Sequence, residues 1–218
     1  MEAKSNVLEI ACGSGGPALF IARTFGCHVT GIDINEKAIA TANEMARDQK
    51  LDSLVRFSRA DACVALPFEN ETFDAITCID AITHIPDRMR FLKESHRILR
   101  RGRRLLFTDP VIVTGLISNE EIAVRSSVGF FLFSPPGEDE RLIKGSGFRL
   151  LAREDVTDNM SGMSKRRRDS REKHSRELIQ IEGEETFKGT QRFFSMVHTL
   201  ARERRLSRIA FVCKKMRS

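Results

Sequence analysis

Three acidic side chains stand where apolar segments of the sequence meet loops. Glu9 interrupts the apolar run 7–11, Asp33 closes the run 28–33, and Asp61 follows the run 55–58. A glycine-rich turn with the spacing Gly-x-Gly-x-x-Ala follows the first run. Between a strand and a helix this spacing is typical of nucleotide-binding loops, and a carboxylate after the next strand can bind ribose hydroxyls. The pattern predicts a cofactor that contains a nucleoside, although the glycines alone could also serve close strand–helix packing.

A second set of candidate groups follows the apolar run 73–79. Asp80 and His84 stand there, and an imidazole is the strongest candidate for a general base. The alternative is a histidine that packs beneath a cofactor and takes no proton. Asp80 and Asp109 also stand where a metal-assisted mechanism would place carboxylates. Because Pro110 follows and no ligand cluster accompanies them, we expect no metal.

These groups need a scaffold that brings strand ends together, and the hydrophobic pattern predicts one. Short apolar runs alternate with segments of helical spacing, which is typical of βαβ units with ligands at the carboxyl ends of parallel strands. We predict an α/β fold, a doubly wound, mostly parallel seven-stranded sheet with helices on both faces and an added helical cover. The predicted strands are 7–11, 28–33, 55–58, 73–79, 104–108, 148–153 and 209–213, and the predicted helices are 18–25, 36–49, 89–99, 138–144 and 184–205.

The length of 218 residues predicts a single domain. Residues 1–112 form the predicted cofactor-binding core and 208–214 the last strand, while 113–137 and 159–205 are expected to cover the substrate. In that cover, Phe130, Phe131 and Phe133 either line an apolar acceptor pocket or pack in the core. The chain has 15 Phe but no Trp and no Tyr, so a cage of hydroxyl-bearing aromatic rings is excluded.

The composition indicates a cytoplasmic protein. Five cysteines, odd in number and without a Cys-x-x-Cys pair, argue against a disulfide framework and a zinc site, and predict free thiols in the core. The polar start does not resemble a signal peptide, and no apolar run approaches the roughly 18 to 20 residues of a membrane span.

Several segments, spread in order over about a hundred residues, form a recognisable series. They are Val7-Leu8-Glu9-Ile10-Ala11-Cys12-Gly13-Ser14-Gly15-Gly16, Arg59-Ala60-Asp61-Ala62, Leu66-Pro67-Phe68, Phe73-Asp74-Ala75-Ile76, Asp80-Ala81-Ile82-Thr83-His84-Ile85-Pro86-Asp87, Glu94-x-x-Arg97-Ile98-Leu99 and Asp109-Pro110. In this order they resemble the motifs of class I S-adenosylmethionine-dependent methyltransferases, and are most similar to the small-molecule branch that includes sarcosine/dimethylglycine, tocopherol and sterol methyltransferases. Such an ordered series is far more specific than one motif.

The resemblance implies S-adenosylmethionine as the cofactor, a small organic molecule as the acceptor of a methyl group on N or O, and Asp80 and His84 facing the transferring methyl group. Glu9 would hold the amino group of the cofactor, Asp33 its ribose diol and Asp61 the adenine amine, with a backbone N–H from Ala62 or Cys63. Ile34 and Leu66 are candidates to sandwich the adenine ring. The remaining implied cofactor-binding residues are Ala11, Gly13, Gly15 and Ile79.

Three features depart from the family pattern. Ala11 stands where the first motif usually has glycine, and Arg101-Gly102-Arg103 replaces the usual turn before the fifth strand. The first strand is expected only six residues from the start, whereas relatives carry helices there that close over the cofactor. Either the start is truncated, which would allow a non-catalytic cofactor-binding protein, or the lid is supplied otherwise.

The basic excess of the chain lies at its end. Residues 1–159 hold 20 Lys and Arg against 23 Asp and Glu, a net charge of −3, and residues 160–218 hold 16 against 7, a net of +9. Segment 164–176 could bind RNA, and a nucleic-acid methyltransferase is therefore the alternative function. Interspersed acids and the lack of aromatic residues favour a solvated helix instead. An NAD-dependent oxidoreductase is a less favoured function, because such an enzyme would not account for Asp61 or the segment 80–87.

Overall fold

A computed structural model describes residues 3–216 of the chain. Seven strands alternate with helices through most of this length, which confirms the predicted α/β class. The strands are β1 (Asn6–Ile10), β2 (His28–Asp33), β3 (Val55–Arg59), β4 (Phe73–Cys78), β5 (Leu99–Val113), β6 (Phe148–Asp155) and β7 (Leu206–Lys215). The helices are α1 (Gly16–Phe25), α2 (Glu36–Asp48), α3 (Arg88–Ile98), α4 (Asn119–Arg125), α5 (Glu138–Gly145), α6 (Thr157–Lys173), α7 (Ser175–Glu182) and α8 (Glu184–Arg202), with a 3₁₀ turn at Ile82–His84.

The strands form one seven-stranded sheet in the described part of the chain, in the order β3-β2-β1-β4-β5-β7-β6. β1 pairs in parallel with both β2 and β4, so the chain winds outward from β1 in two directions. The pairs β2–β3 and β4–β5 are parallel as well. This is the doubly wound, mostly parallel sheet that the sequence predicts, and it gathers the carboxyl ends of β1, β2 and β4 at one edge.

The described residues divide into two compact units. The first comprises residues 3–108, 138–153 and 210–216, and the second residues 109–137 and 154–209. In the first unit, α1 and α2 pack on β1, β2 and β3 through a cluster that includes Val7, Leu19, Val29 and Phe57. The buried ion pair between Arg88 and Asp139, 3.0 Å long, ties α3 to α5.

The prediction for the fifth strand was wrong at its start. β5 begins at Leu99 rather than at 104, and the Arg101-Gly102-Arg103 segment lies inside the strand instead of forming a turn before it. Phe73 pairs with Leu99 and Ala75 with Arg104, so five steps along β5 stand opposite two along β4. The three extra residues form a bulge, and the left-handed φ of +76° at Gly102 is typical of such a site.

One face of the sheet is partly exposed at β4, β5 and β7. Ala75, Leu106 and Val212 are only half-buried, while their neighbours Leu105 and Phe211 are fully buried on the opposite face. An open cavity of about 480 Å³ lies over the half-buried residues. The two faces of β4, β5 and β7 therefore differ in how much each side chain adds to stability.

The second unit is mainly helical and contains elements that the sequence interpretation missed. α4 begins with a capping box in which Ser118 and Glu121 exchange hydrogen bonds, a signal that is visible in the sequence. α6 and α8 pack around Met160, Val197 and Ala201. The basic segment 164–176 covers the second half of α6 and the start of α7, and Lys165 pairs with Asp169 one turn on at 2.7 Å.

Candidate functional site

The loop between β1 and α1 has an unusual backbone that shapes the candidate site. Ala11, Gly13 and Gly15 all adopt a positive φ, at 56°, 54° and 83°. The Cys12 amide donates to the Ile32 carbonyl at 3.0 Å, which fastens the loop to the end of β2. Pro17 then occupies the first turn of α1, where it needs no N–H donor.

The two glycines that the sequence assigns to cofactor binding have different surroundings. A Cβ atom at Gly13 would meet no described atom within 4 Å, so the backbone there faces open space. A Cβ atom at Gly15 would lie 2.6 Å from the Phe57 ring and 3.1 Å from Ala42. Open backbone for a ligand is thus found at Gly13, and close packing on β3 and α2 accounts for the glycine at position 15.

Glu9 lies on β1 directly before this loop, and its side chain is 1% exposed. Its Oε2 has no hydrogen-bond partner among the described residues. Burial raises the pKa of Glu9 from 4.5 to about 8, against a smaller lowering by a backbone hydrogen bond from Ala18. A buried carboxylate without a partner is costly, and a cationic group of a ligand would offset that cost. At 1% exposure, Glu9 is not a surface residue beside the end of the strand.

Asp33 joins the end of β2 to the glycine-rich loop. Its Oδ2 accepts from the Gly13 amide at 2.8 Å and its Oδ1 from the Asn35 amide at 2.8 Å. Asn35 in turn caps α2 by accepting from the amides of Lys37 and Ala38. These contacts orient a half-buried carboxylate at the edge where Glu9 and Gly13 also lie.

The residues expected around adenine do not all have the predicted setting. Asp61 Oδ1 accepts from the Cys63 amide at 2.8 Å, so this amide is engaged and Ala62 is the remaining backbone donor of the two. Ile34 is 58% exposed and can cover a ring, but Leu66 is 3% exposed and is packed in the core. The prediction that Leu66 flanks the adenine was therefore wrong, because its side chain has no free face.

The acceptor-side candidates follow β4. Asp80 is half-buried and left-handed, with φ at 56°, and Ile79 before it is half-buried. His84 ends the 3₁₀ turn, and its side chain is exposed. Thr108 on β5, which sequence reasoning missed, accepts from the Asp80 amide at 2.8 Å and donates to Asp80 Oδ1 at 2.7 Å. Thr108 was detectable only as the residue that ends the fifth apolar run.

The cysteines are free thiols, four of them buried and one exposed. Burial raises the pKa of Cys12, Cys78 and Cys213 to about 12, which keeps these thiols protonated. Cys63 contradicts the prediction that all five cysteines lie in the core. It is exposed, in the loop where its amide donates to Asp61 Oδ1. No group of three or more His, Cys, Asp or Glu side chains within residues 3–216 could hold a metal ion.

In the second unit, the phenylalanines of the predicted cover have mixed surroundings. Phe130 is 57% exposed, whereas Phe131 and Phe133 are half-buried against a cluster of Val111, Leu200 and Leu206. The guanidinium of Arg125 lies 4.2 Å from the centre of the Phe131 ring. Packing therefore accounts for Phe131 and Phe133, whereas Phe130 is more exposed than either.

Comparison with known proteins identifies the class that this fold and site define. A family model described as a methyltransferase domain matches residues 8–107. The chain is 30% identical over 159 residues to the O-methyltransferase rstn1 of Aspergillus nomiae, covering 72% of this chain and 70% of that protein. It is 28% identical over 171 residues to the sarcosine/dimethylglycine N-methyltransferase of Halorhodospira halochloris, covering 77% and 61%.

The fold matches solved methyltransferase structures. The Haemonchus contortus phosphoethanolamine N-methyltransferase 2 in complex with S-adenosyl-L-methionine superposes with a TM-score of 0.86 at 23% identity, over 100% of this chain and 50% of that one. The chain therefore belongs to the methyltransferase-domain family, whose members depend on S-adenosylmethionine. It spans 58% of the length of two further curated relatives. Within residues 3–216, none of the helices is long and apolar enough to cross a membrane.

Proposed function

We propose that the protein transfers a methyl group from S-adenosylmethionine to an N or O atom of a small organic molecule. The observation that carries the proposal is the orphaned carboxylate oxygen of Glu9, 1% exposed on the strand before the open backbone of Gly13. The cofactor has an ammonium group that such a carboxylate can bind. The family relationship supports the same cofactor.

The residues at the strand ends suit the parts of this cofactor in order along the chain. Glu9 would bind the amino group, and the backbone at Ala11 and Gly13 would pass close to the methionine portion. The oriented Asp33 carboxylate would accept from the ribose hydroxyls. The adenine would lie at Asp61 and Ala62 with Ile34 against its ring, and Ile79 and Gly15 would support the site from the residue after β4 and the residue before α1.

Methyl transfer requires little covalent chemistry from the protein itself. The bound cofactor would supply an electrophilic methyl group on its sulfonium for in-line transfer to the acceptor, with the neutral thioether as the leaving group. The chain's own residues then have to align the acceptor and exclude water. Asp80 and His84 follow β4, and we assign them to the acceptor side, with His84 as the base for an acceptor that arrives protonated.

Calorimetric titration with S-adenosylmethionine tests the cofactor assignment. We expect micromolar binding to the wild type and at least tenfold weaker binding to Asp33→Ala and Gly13→Arg, because the first variant removes a ribose ligand and the second fills open space. Asp52→Ala, a loop acid between α2 and β3, is the matched control and should bind as the wild type does. A folded wild type that shows no binding would contradict the proposal.

Turnover separates an active enzyme from a cofactor-binding protein without catalysis. A panel of amines, phenols and carboxylates is incubated with cofactor and searched for products heavier by one methyl group. The proposal predicts a product from an amine or a phenol, lost in Gly13→Arg. Binding without turnover across the panel would favour the non-catalytic alternative.

A further inference from the structure

Asp80 adopts a backbone conformation that needs support. It is the second residue after β4, and its φ of 56° lies in the left-handed region. A residue with a side chain adopts this region only at an energetic cost relative to the ordinary helical or extended regions, although aspartate tolerates it better than most. A contact that holds Asp80 there would determine how the segment after β4 leaves the sheet.

Thr108 supplies such a contact from the neighbouring strand. Its hydroxyl accepts from the Asp80 amide at 2.8 Å and donates to Asp80 Oδ1 at 2.7 Å. The side chain is 5% exposed, and a hydroxyl has one proton, which this geometry gives to the carboxylate. One hydroxyl therefore fixes both the backbone and the carboxylate of Asp80, and a hydrogen bond to a carboxylate is among the stronger kinds.

The segment that Asp80 begins carries the second acceptor-side group. The 3₁₀ turn Ile82–His84 starts two residues later, and the His84 amide donates to the Ala81 carbonyl at 2.9 Å. A change at Asp80 would thus move the origin of this short turn. The parallel pairing of β4 with β5, as in Cys78 with Phe107, places Thr108 beside the point where the turn begins.

We propose that Thr108 is a positioning residue for methyl transfer: its hydroxyl holds Asp80 in the left-handed conformation and aims the carboxylate and the following turn at the acceptor. The inference rests on the proposed function, since it assigns the acceptor side to this segment. Thr108 itself needs no contact with the substrate. Its effect belongs to the alignment of the acceptor and not to the binding of cofactor.

The test compares Thr108→Val with Thr108→Ser and with a matched control. Valine keeps the shape and removes the hydroxyl, and serine restores it. Thr77→Val is the control, because Thr77 is equally buried on β4 and its hydroxyl makes only a 3.5 Å contact with the Leu8 carbonyl. We expect Thr108→Val to lower kcat at least tenfold while the Kd for S-adenosylmethionine changes less than threefold, with Thr108→Ser and Thr77→Val within threefold of the wild type.

Amide hydrogen exchange provides a readout that needs no known acceptor. We expect the Asp80 amide to exchange at least tenfold faster in Thr108→Val and at the wild-type rate in Thr108→Ser. Unchanged exchange in Thr108→Val would overturn the proposed contact even if the protein proved to have no turnover. A parallel loss of cofactor affinity and activity, or a full kcat in Thr108→Val, would overturn the positioning role while leaving the proposed methyltransferase function intact.

Discussion

Glu9 is a buried acid that opposes the stability of the fold and that we propose as a ligand-binding residue. Its carboxyl group is buried on β1, and one oxygen has no partner among residues 3–216. Burial raises its pKa to about 8, so near neutral pH the free protein keeps a proton on this group. A cationic ligand would favour the ionised form and displace that proton.

The raised pKa predicts how stability depends on pH. The unfolded chain releases the Glu9 proton near pH 4.5 and the folded protein near pH 8, so the folded state loses stability as the pH rises between these values. Glu9→Gln removes this loss. Relative to the wild type, its free energy of unfolding should rise with pH across that window by a few kcal/mol and level off above it. Urea denaturation between pH 5 and pH 9 measures the difference, and a pH-independent difference would contradict the raised pKa.

Ala11 carries backbone strain that a smaller residue would relieve. Its φ is +56°, where an L side chain costs about 1–2 kcal/mol and glycine costs none. After the greater chain entropy of glycine is counted, Ala11→Gly should raise the free energy of unfolding by about 0.5–1 kcal/mol. Ala40→Gly, at an exposed position in α2, should instead lose about 1 kcal/mol. Equal losses in both variants would exclude the left-handed backbone at Ala11.

At the scale of elements, β5 combines two unequal faces. Leu105 is fully buried on one face, whereas Leu106 lines the open cavity on the other. Leu105→Ala should cost about 2–5 kcal/mol of stability, the range for a buried leucine, and Leu106→Ala about 1 kcal/mol. Chemical denaturation of the two variants makes the comparison. Similar costs would mean that the Leu106 face is covered in solution.

The helices that flank the site follow from local signals that can be read in the sequence. Pro17 and Gly26 bound α1, and Asn35 caps α2, so the elements after β1 and β2 were predictable to within two residues. α6 and α7 lack such caps, and their boundary at His174 depends on packing with α8. The bulge in β5 was not predictable, because a Gly between arginines reads equally well as a turn.

For the whole molecule, the basic end of the chain raises the question of polynucleotide binding. Lys165 and Arg168 pair with Asp169 on α6, so part of the positive charge is already neutralised within the helix. We expect a labelled single-stranded RNA to show no saturable binding at 50 mM salt and protein concentrations below about 10 μM. Any binding should be no tighter than ordinary non-specific binding to nucleic acid. Tight binding that weakens steeply with salt would instead favour the nucleic-acid alternative.

The sequence was sufficient for the sheet and for placing the candidate cofactor-side residues at strand ends, and insufficient for contacts between distant strands. Alternating apolar runs predicted every strand, and the positions of Glu9, Asp33 and Asp61 followed from the run ends. The burial of Leu66 depends on residues that the fold brings together. So does the close approach of Phe57 to Gly15, which leaves no room for a Cβ atom there. The Asp80–Thr108 pair spans 28 residues and has no local pattern that could reveal it.

Glu9, in its ionised form, is proposed to hold the amino group of S-adenosylmethionine. Calorimetric titration of the cofactor at pH 7 in two buffers of different ionisation enthalpy measures the protons released on binding. With a pKa of about 8 in the free protein, the wild type should release close to one proton per cofactor bound. Glu9→Gln should release none and bind at least tenfold more weakly. Equal proton release by the two proteins, or full affinity of Glu9→Gln, would contradict the account.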